Sequence, residues 1–317
     1  MSASVDFRSV RWELEATDRR MLDKRMSATQ AMELVHDGDH VAIGGTLYSR
    51  TPMALVFALL KTRRRHLTIS RPLTCYEAEL FYAAGMADRV ITSWIGIGLK
   101  WGLPQIMRHY VETGQAVYEE WSHLGIGLRY KAGAMGVPFL PALTMLGSDI
   151  ARTVELREVD CPYTGQRLAA LPALNPDVAL IHAHRSDIYG NVQVDGYRHM
   201  DVDMARAARR VIVSVEQIVS SDEIRALPTT TILPHFAVDA IVEAPFGAYP
   251  SECYGLYHAD LRHFDEYVNL VKAKGPDGAR EYIAEHVDQH DDFAGFLASL
   301  PPGTLDDLVA AAKRLAP

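Results

Sequence analysis

Between residues 40 and 135 the chain alternates short apolar runs with longer amphipathic ones, and glycine or proline marks most of the changes. His40–Gly44, Leu67–Arg71, Arg89–Trp94 and Ala116–Glu120 read as strands. Pro52–Lys61, Glu77–Ala84, Pro104–Glu112 and Leu124–Met135 read as helices, the last three closed by Gly85, Gly114 and Gly136 as left-handed stops. Strands joined through helices by short loops run parallel, because right-handed crossovers return the chain to the same end of the sheet. The pattern predicts an open α/β fold: a mainly parallel sheet with helices on both faces and ligands at the strand carboxyl ends.

Upstream, Ser27-Ala-Thr-Gln30 reads as a capping box opening a helix through Val35. Residues 1–26 are charged and weakly periodic, and are expected to form an arm on the surface or on a partner. Val154–Val159 and Arg167–Leu171, about the turn Tyr163-Thr-Gly165-Gln, read as an inserted hairpin, as does Ile188–Val194 around Gly190-Asn191. Val178–His182, Val211–Glu216 and Asp239–Ala244 resume the strands, with a helix over Asp201–Arg209. From Asp260 the pattern is helical: Asp260–Lys274, Gly278–Val287, Asp291–Leu300 and Thr304–Leu315. The expected organisation is an arm over 1–26, a main domain over 27–272 and a helical extension over 273–317.

Composition narrows the function. A formal charge of −8 argues against a general nucleic-acid binder, which needs a basic face for phosphates. Arg63-Arg64-Arg65 and Arg206, Arg209 and Arg210 follow helical stretches, where cations suit the helix dipole. No apolar run reaches the roughly 18 residues of a membrane span, and the first residues lack a signal-peptide pattern. Cys75, Cys161 and Cys253 are widely spaced and form no C-x-x-C pair, so a cytoplasmic protein with no disulfide framework is expected.

Four motifs invite chemistry. Gly44-Gly45-Thr46 ends the first strand, and Thr51-Pro52 restarts the chain as a helix, a combination that tolerates an anion. Gly96-Ile-Gly98-Leu-Lys-Trp-Gly102 is one residue longer than the dinucleotide fingerprint, and Trp101 would crowd the packing its last glycine permits. His182-Ala-His184 could share a metal; Asp187, His199, Asp201 and Asp203 lie downstream, but none has a recognisable ligand spacing, so no metal is expected. Glu216 ends a strand where this architecture places catalytic carboxylates, and a structural role accepting loop N–H groups fits it equally. Glu119-Glu120 also ends a strand, with Ser122 and His123 adjacent and no nucleophile elbow around either.

Taken together, Val35 to Gly45, Arg50-Thr-Pro52, Gly136-Val-Pro-Phe-Leu-Pro141 with Gly147-Ser148, and Pro176 to Ala183 resemble the A (α) subunit of family I CoA-transferases, above all the glutaconate type. Asp201-Val-Asp203, Val213-Ser-Val-Glu-Gln-Ile218, Ser221 to Arg225 and Pro245 to Tyr257 continue the resemblance in order, over roughly residues 27–272. It implies a fold shared with ribose-5-phosphate isomerase and a partner B (β) subunit of similar fold, in an α2β2 or αβ assembly. It also implies a ping-pong reaction in which a glutamate carboxylate attacks an acyl-CoA thioester and passes CoA to a carboxylic acid.

In two-chain members that glutamate lies on the B subunit, so no nucleophile is expected here; Glu120, His123 and Glu216 are the weak candidates. Gly44, Gly45, Thr46, Arg50, Ser70, Arg71, Ser93 and Ser122 are the residues expected to bind the acyl-CoA substrate, with backbone donors of the glycine loop facing developing oxyanion charge. No permanent cofactor is implied. The family also holds a ring-opening hydrolase of steroid catabolism and a decarboxylase; the hydrolase's working glutamate falls near His123, with Glu119 and Glu120 three or four residues earlier. Thr46 stands where Gly-Gly-Phe is usual, which leaves the acyl group open. A sugar-phosphate-sensing regulator is the remote alternative on fold sharing alone.

Overall fold

The computed structural model describes residues 20–315 together with positions 12 and 16. Twelve strands occur among them: β1 (His40–Ile43), β2 (Leu67–Ser70), β3 (Ala87–Thr92), β4 (Val117–Glu120), β5 (Phe139–Ala142), β6 (Arg157–Asp160), β7 (Arg167–Pro172), β8 (Val178–Ser186), β9 (Val192–Gln193), β10 (Arg210–Ile218), β11 (Thr231–Leu233) and β12 (Ala240–Glu243). The main sheet carries seven parallel strands in the order β12-β10-β8-β1-β2-β3-β4. β9 and β11 add an antiparallel fringe at the far end of β8.

Strand order reverses between β1 and β8. From β1 the chain steps outward through β2, β3 and β4, then returns to lay β8 on the other side of β1, Val41 opposite Val178. A crevice opens at such a switch point beyond the strand carboxyl ends. β8 and β10 read as near-continuous apolar runs because helices cover both faces of the sheet.

Alternation along β1 shows the two layers. Val41 and Ile43 join a core with the helices Met53–Thr62 and Tyr76–Ala83, while Ala42 faces a second core with Ile126, Tyr130, Met204 and Val213. The C-terminal helices belong to the first core. Phe264 of Leu261–Lys274 and Tyr282 of Pro276–Ile283 meet Tyr76 edge-on, with ring centroids 5.5 and 5.8 Å away, and Phe296 lies 5.2 Å from Phe57.

Three local readings change. The run expected as a strand from Val154 instead begins as the C-terminal cap of a helix, Asp149–Thr153, itself capped by Ser148, and the strand begins at Arg157. Its hairpin with β7 gains a third strand, β5, which the prolines of Pro138-Phe-Leu-Pro141 disguise as loop; only an edge strand tolerates them. β8 runs on past His182 to Ser186, so the second hairpin forms between β8 and β9. Of the expected arm, residues 1–19 lie outside the described residues apart from 12 and 16. Lys24 and Met26 pair with Ile241 and so extend the sheet beside β12. No helix among the described residues is long and apolar enough to cross a membrane.

Candidate active site

The switch point is floored by the loop from Gly44 to Thr51. Gly45 takes φ +68°, and a β-carbon on it would lie 2.3 Å from the Ser49 carbonyl oxygen, so only glycine fits. Its N–H donates to Asp201 Oδ1 at 2.8 Å, and Gly44 N–H donates to Leu180 O at 2.8 Å. Thr46 and Ser49 pair backbone to backbone, and Ala54 N–H at the following helix start donates to Gly247 O. The glycine-loop donors expected to face an oxyanion are thus spent inside the fold. The loop is a latch.

Arg50 fastens it. Nη1 donates to Asp201 Oδ2 and to His182 O in the interior, each at 2.8 Å, and Nη2 donates to Tyr197 O at 2.8 Å in a partly buried position. A second buried pair lies beside it: Arg71 Nη1 donates to Glu77 Oε1 at 2.7 Å and Nη2 to Thr51 Oγ1 at 3.0 Å. Arg71 Nε is buried with no acceptor among the described residues. Leu47, Arg50, His199 and Phe246 hold φ between +48° and +56°, a strain of about 1–3 kcal/mol each that persists only where surrounding bonds over-determine the backbone.

On the β8–β10 side, Glu216 accepts three hydrogen bonds. His182 Nε2–H (2.7 Å) and Tyr257 O–H (2.5 Å) reach Oε1, and Phe246 N–H (2.6 Å) reaches Oε2. Burial beside that carboxylate pushes the Tyr257 phenol well above its ordinary range. Glu216 so anchors the segment 246–257, and that segment in turn grips the latch: Arg50 N–H donates to Glu252 O at 2.8 Å, and Ser251 Oγ donates to Thr51 Oγ1 at 2.8 Å. His182, Glu216 and Cys253 place one donor atom each within 4.8 Å of one another. Imidazole and carboxylate hydrogen-bond each other there, and the imidazole Nδ1 lies 2.9 Å from Ser214 Oγ. Burial also lowers the His184 pKa; its Nδ1 accepts from Asp195 N–H and its Nε2–H donates to Tyr254 O.

The remaining expected residues divide. Thr46 and Arg50 sit in the latch and Arg71 beside it. Ser93 and His123 meet at the ends of β3 and β4, Ser93 Oγ 3.2 Å from His123 Nδ1 while it donates to Pro72 O. The half-buried Glu120 side chain makes no hydrogen bond or ion pair among the described residues. Ser122 caps the helix His123–Met135 and pairs with Thr144 Oγ1. Ser70 is turned into the interior, where Tyr130 O–H donates to it and His40 Nε2 lies 2.6 Å away. Glu77 is not legible as a site residue in the sequence, and Asp201 and His199 stand out there only as downstream residues without ligand spacing; nothing local announces that Asp201 pairs with an arginine 151 residues away.

An open parallel sheet whose switch point carries two buried arginine–carboxylate pairs and a glycine latch defines an α/β enzyme scaffold built for ligands at its strand ends. Residues 25–244 match the coenzyme A transferase family, and the chain belongs to that family. An uncharacterized protein of Archaeoglobus fulgidus is 36% identical over 307 residues; the match takes in 96% of this chain and 66% of that longer protein. The A subunit of glutaconate CoA-transferase from Acidaminococcus fermentans is 31% identical over 298 residues, covering 88% of this chain and 93% of that one. The crystal structure of the Acidaminococcus fermentans enzyme superposes with a TM-score of 0.85 over 90% of this chain and 95% of that chain. The cholesterol ring-cleaving hydrolase IpdA subunit of Rhodococcus jostii is 30% identical over 310 residues, 93% of this chain and 97% of that protein.

Proposed function

We propose that this chain is the A subunit of a heteromeric CoA-transferase, which moves CoA between an acyl-CoA and a small or dicarboxylic acid together with a B subunit, in an α2β2 assembly. A glutamate on the B subunit, by attack on the thioester, carries CoA as glutamyl-CoA until a second carboxylate takes it. The acyl-CoA is substrate, and no resident cofactor takes part. Three free thiols, Cys75, Cys161 and Cys253, suit the reducing cytoplasm in which such an enzyme would work.

One observation carries this reading. Three carboxylates around the latch are saturated: Asp201 by Gly45 and Arg50, Glu77 by Arg71 and the Cys75 N–H, Glu216 by three donors. A carboxylate so stabilised is a poor nucleophile. This chain supplies a rigid floor to the pocket, and the attacking carboxylate arrives in trans.

A CoA-ester hydrolase is the second reading, favoured by Glu120, a half-buried carboxylate with no partner among the described residues, three residues before His123. Purification with the B subunit encoded beside it and incubation with acyl-CoA separates the two. Transfer predicts a new acyl-CoA only when an acceptor acid is added. Free CoA released without an acceptor overturns the transferase reading.

A further inference from the structure

We propose that His182, Glu216 and Cys253 bind one zinc ion, which ties β8, β10 and the segment 246–257 together behind the glycine latch. The ion is structural, and its binding is independent of the CoA chemistry.

The donors come from three segments that only folding brings together. His182 on β8 pairs in register with Ser214 on β10, so Glu216, two residues further on, leaves β10 on the same face. Cys253 arrives on the segment after β12, where its N–H and its carbonyl both pair with Tyr257. One donor atom from each of the three lies within 4.8 Å of the other two. His182 and Cys253 are fully buried, and the Glu216 side chain is 10% exposed. The sequence hides this set, because only one of the two histidines of His182-Ala-His184 belongs to it and the other donors lie on later elements.

The distances suit a small tetrahedral ion. Bonds of about 2.3 Å to sulfur and about 2.0–2.2 Å to nitrogen or oxygen set neighbouring donors about 3.3–3.7 Å apart. His182 Nε2 and Glu216 Oε1, at 2.7 Å, have to part by about 0.6 Å, and Cys253 Sγ has to close by about 1 Å at most. Both are side-chain movements. His184 Nε2 lies 3.6 Å from Cys253 Sγ, but its ring is committed: Nδ1 accepts from Asp195 N–H, and Nε2–H donates to Tyr254 O. The fourth position therefore falls to water.

Charge and proton balance point to the same metal. A thiolate and a carboxylate neutralise a dication, so the buried set carries no net charge. Cys253 gives its proton to solvent as the metal–sulfur bond forms. The imidazole proton moves from Nε2 to Nδ1, where Ser214 Oγ accepts it at 2.9 Å. Tyr257 O–H and Phe246 N–H stay on Glu216, as the outer hydrogen bonds that orient a metal-bound carboxylate. Thiolate, imidazole and carboxylate together suit zinc, whereas magnesium and calcium take oxygen donors.

The test uses the untagged full-length chain, stripped with chelator and titrated with zinc or cobalt(II) alone. We expect one zinc per chain after dialysis, one sulfur scatterer at about 2.3 Å in the zinc X-ray absorption spectrum, and a thiolate charge-transfer band in the near ultraviolet with cobalt. Cys253→Ser is expected to lose that band and to weaken zinc binding by about 100-fold or more, while Cys161→Ser leaves both unchanged. No zinc retained by the native chain, or zinc held equally by Cys253→Ser, overturns the proposal. Should Cys253→Ser fail to fold, the native chain decides alone: a zinc shell of nitrogen and oxygen without sulfur overturns it.

Discussion

Arg50 and Asp201 meet at 2.8 Å with side-chain exposures of 1% and 0%, and the same aspartate holds the N–H of Gly45. One carboxylate therefore fixes both ends of the latch. Removing its charge leaves a buried guanidinium uncompensated, which costs about 3–5 kcal/mol. Asp201→Asn is expected to lower unfolding free energy in urea by that amount, and Arg50→Met combined with it to recover part of the loss. Additive losses in the double variant would show that the two residues do not act as a pair.

Glycine matters at Gly45 and much less at Gly38. Both have positive φ, but a β-carbon at Gly38 meets nothing within 4 Å, whereas at Gly45 it meets the Ser49 and Arg50 carbonyl oxygens at 2.3 and 2.5 Å. Gly38→Ala should cost about 1 kcal/mol, the conformational term alone. Gly45→Ala should cost several times more and abolish activity, read from urea melts beside the transfer assay. Equal costs would contradict the latch.

The ends of the sheet strands and the glycine turn were legible because they depend on local pattern. What the loop does was not. Its N–H groups are consumed by Leu180, Asp201 and Ser49, partners that only the folded sheet brings near. Ser70 is among the binding residues that the family resemblance implies, and strand parity turns its side chain inward: it pairs in register with Ala42 and shares the face of Tyr130. Period-two alternation with Ile69, buried in the opposite core, could have shown this.

Acid should destabilise the fold through His263, which is buried, and His40, which is partly buried. Burial, reinforced by Arg129, holds His40 down to about 3, and burial with His286 holds His263 down to about 3. Each binds a proton in the unfolded chain near pH 6.5 and not in the folded one until about pH 3. Stability is then unaffected by them above pH 7 and falls by about 1.4 kcal/mol per pH unit for each between those limits. Urea melts at pH 7 and pH 5 should differ by about 4 kcal/mol or more, and His263→Gln should flatten the slope. A flat profile would contradict the desolvation of both rings.

Glu216 is expected to matter for the position of the segment 246–257 rather than as a nucleophile. Tyr257→Phe removes one donor to it and should cost about 1–3 kcal/mol in stability, leaving Phe246 and His182 in place. Glu216→Gln should lower activity and stability together. A loss of turnover with an unchanged urea midpoint would instead make Glu216 catalytic.

Whether the nucleophile lies on another chain is tested most directly by intact-mass analysis of both polypeptides after brief exposure to acyl-CoA. Attack by a carboxylate adds CoA less one water to the chain that carries it. That gain is expected on the B subunit, with none on this chain. The same gain on this chain, mapped to the peptide holding Glu120 or Glu216, would contradict it.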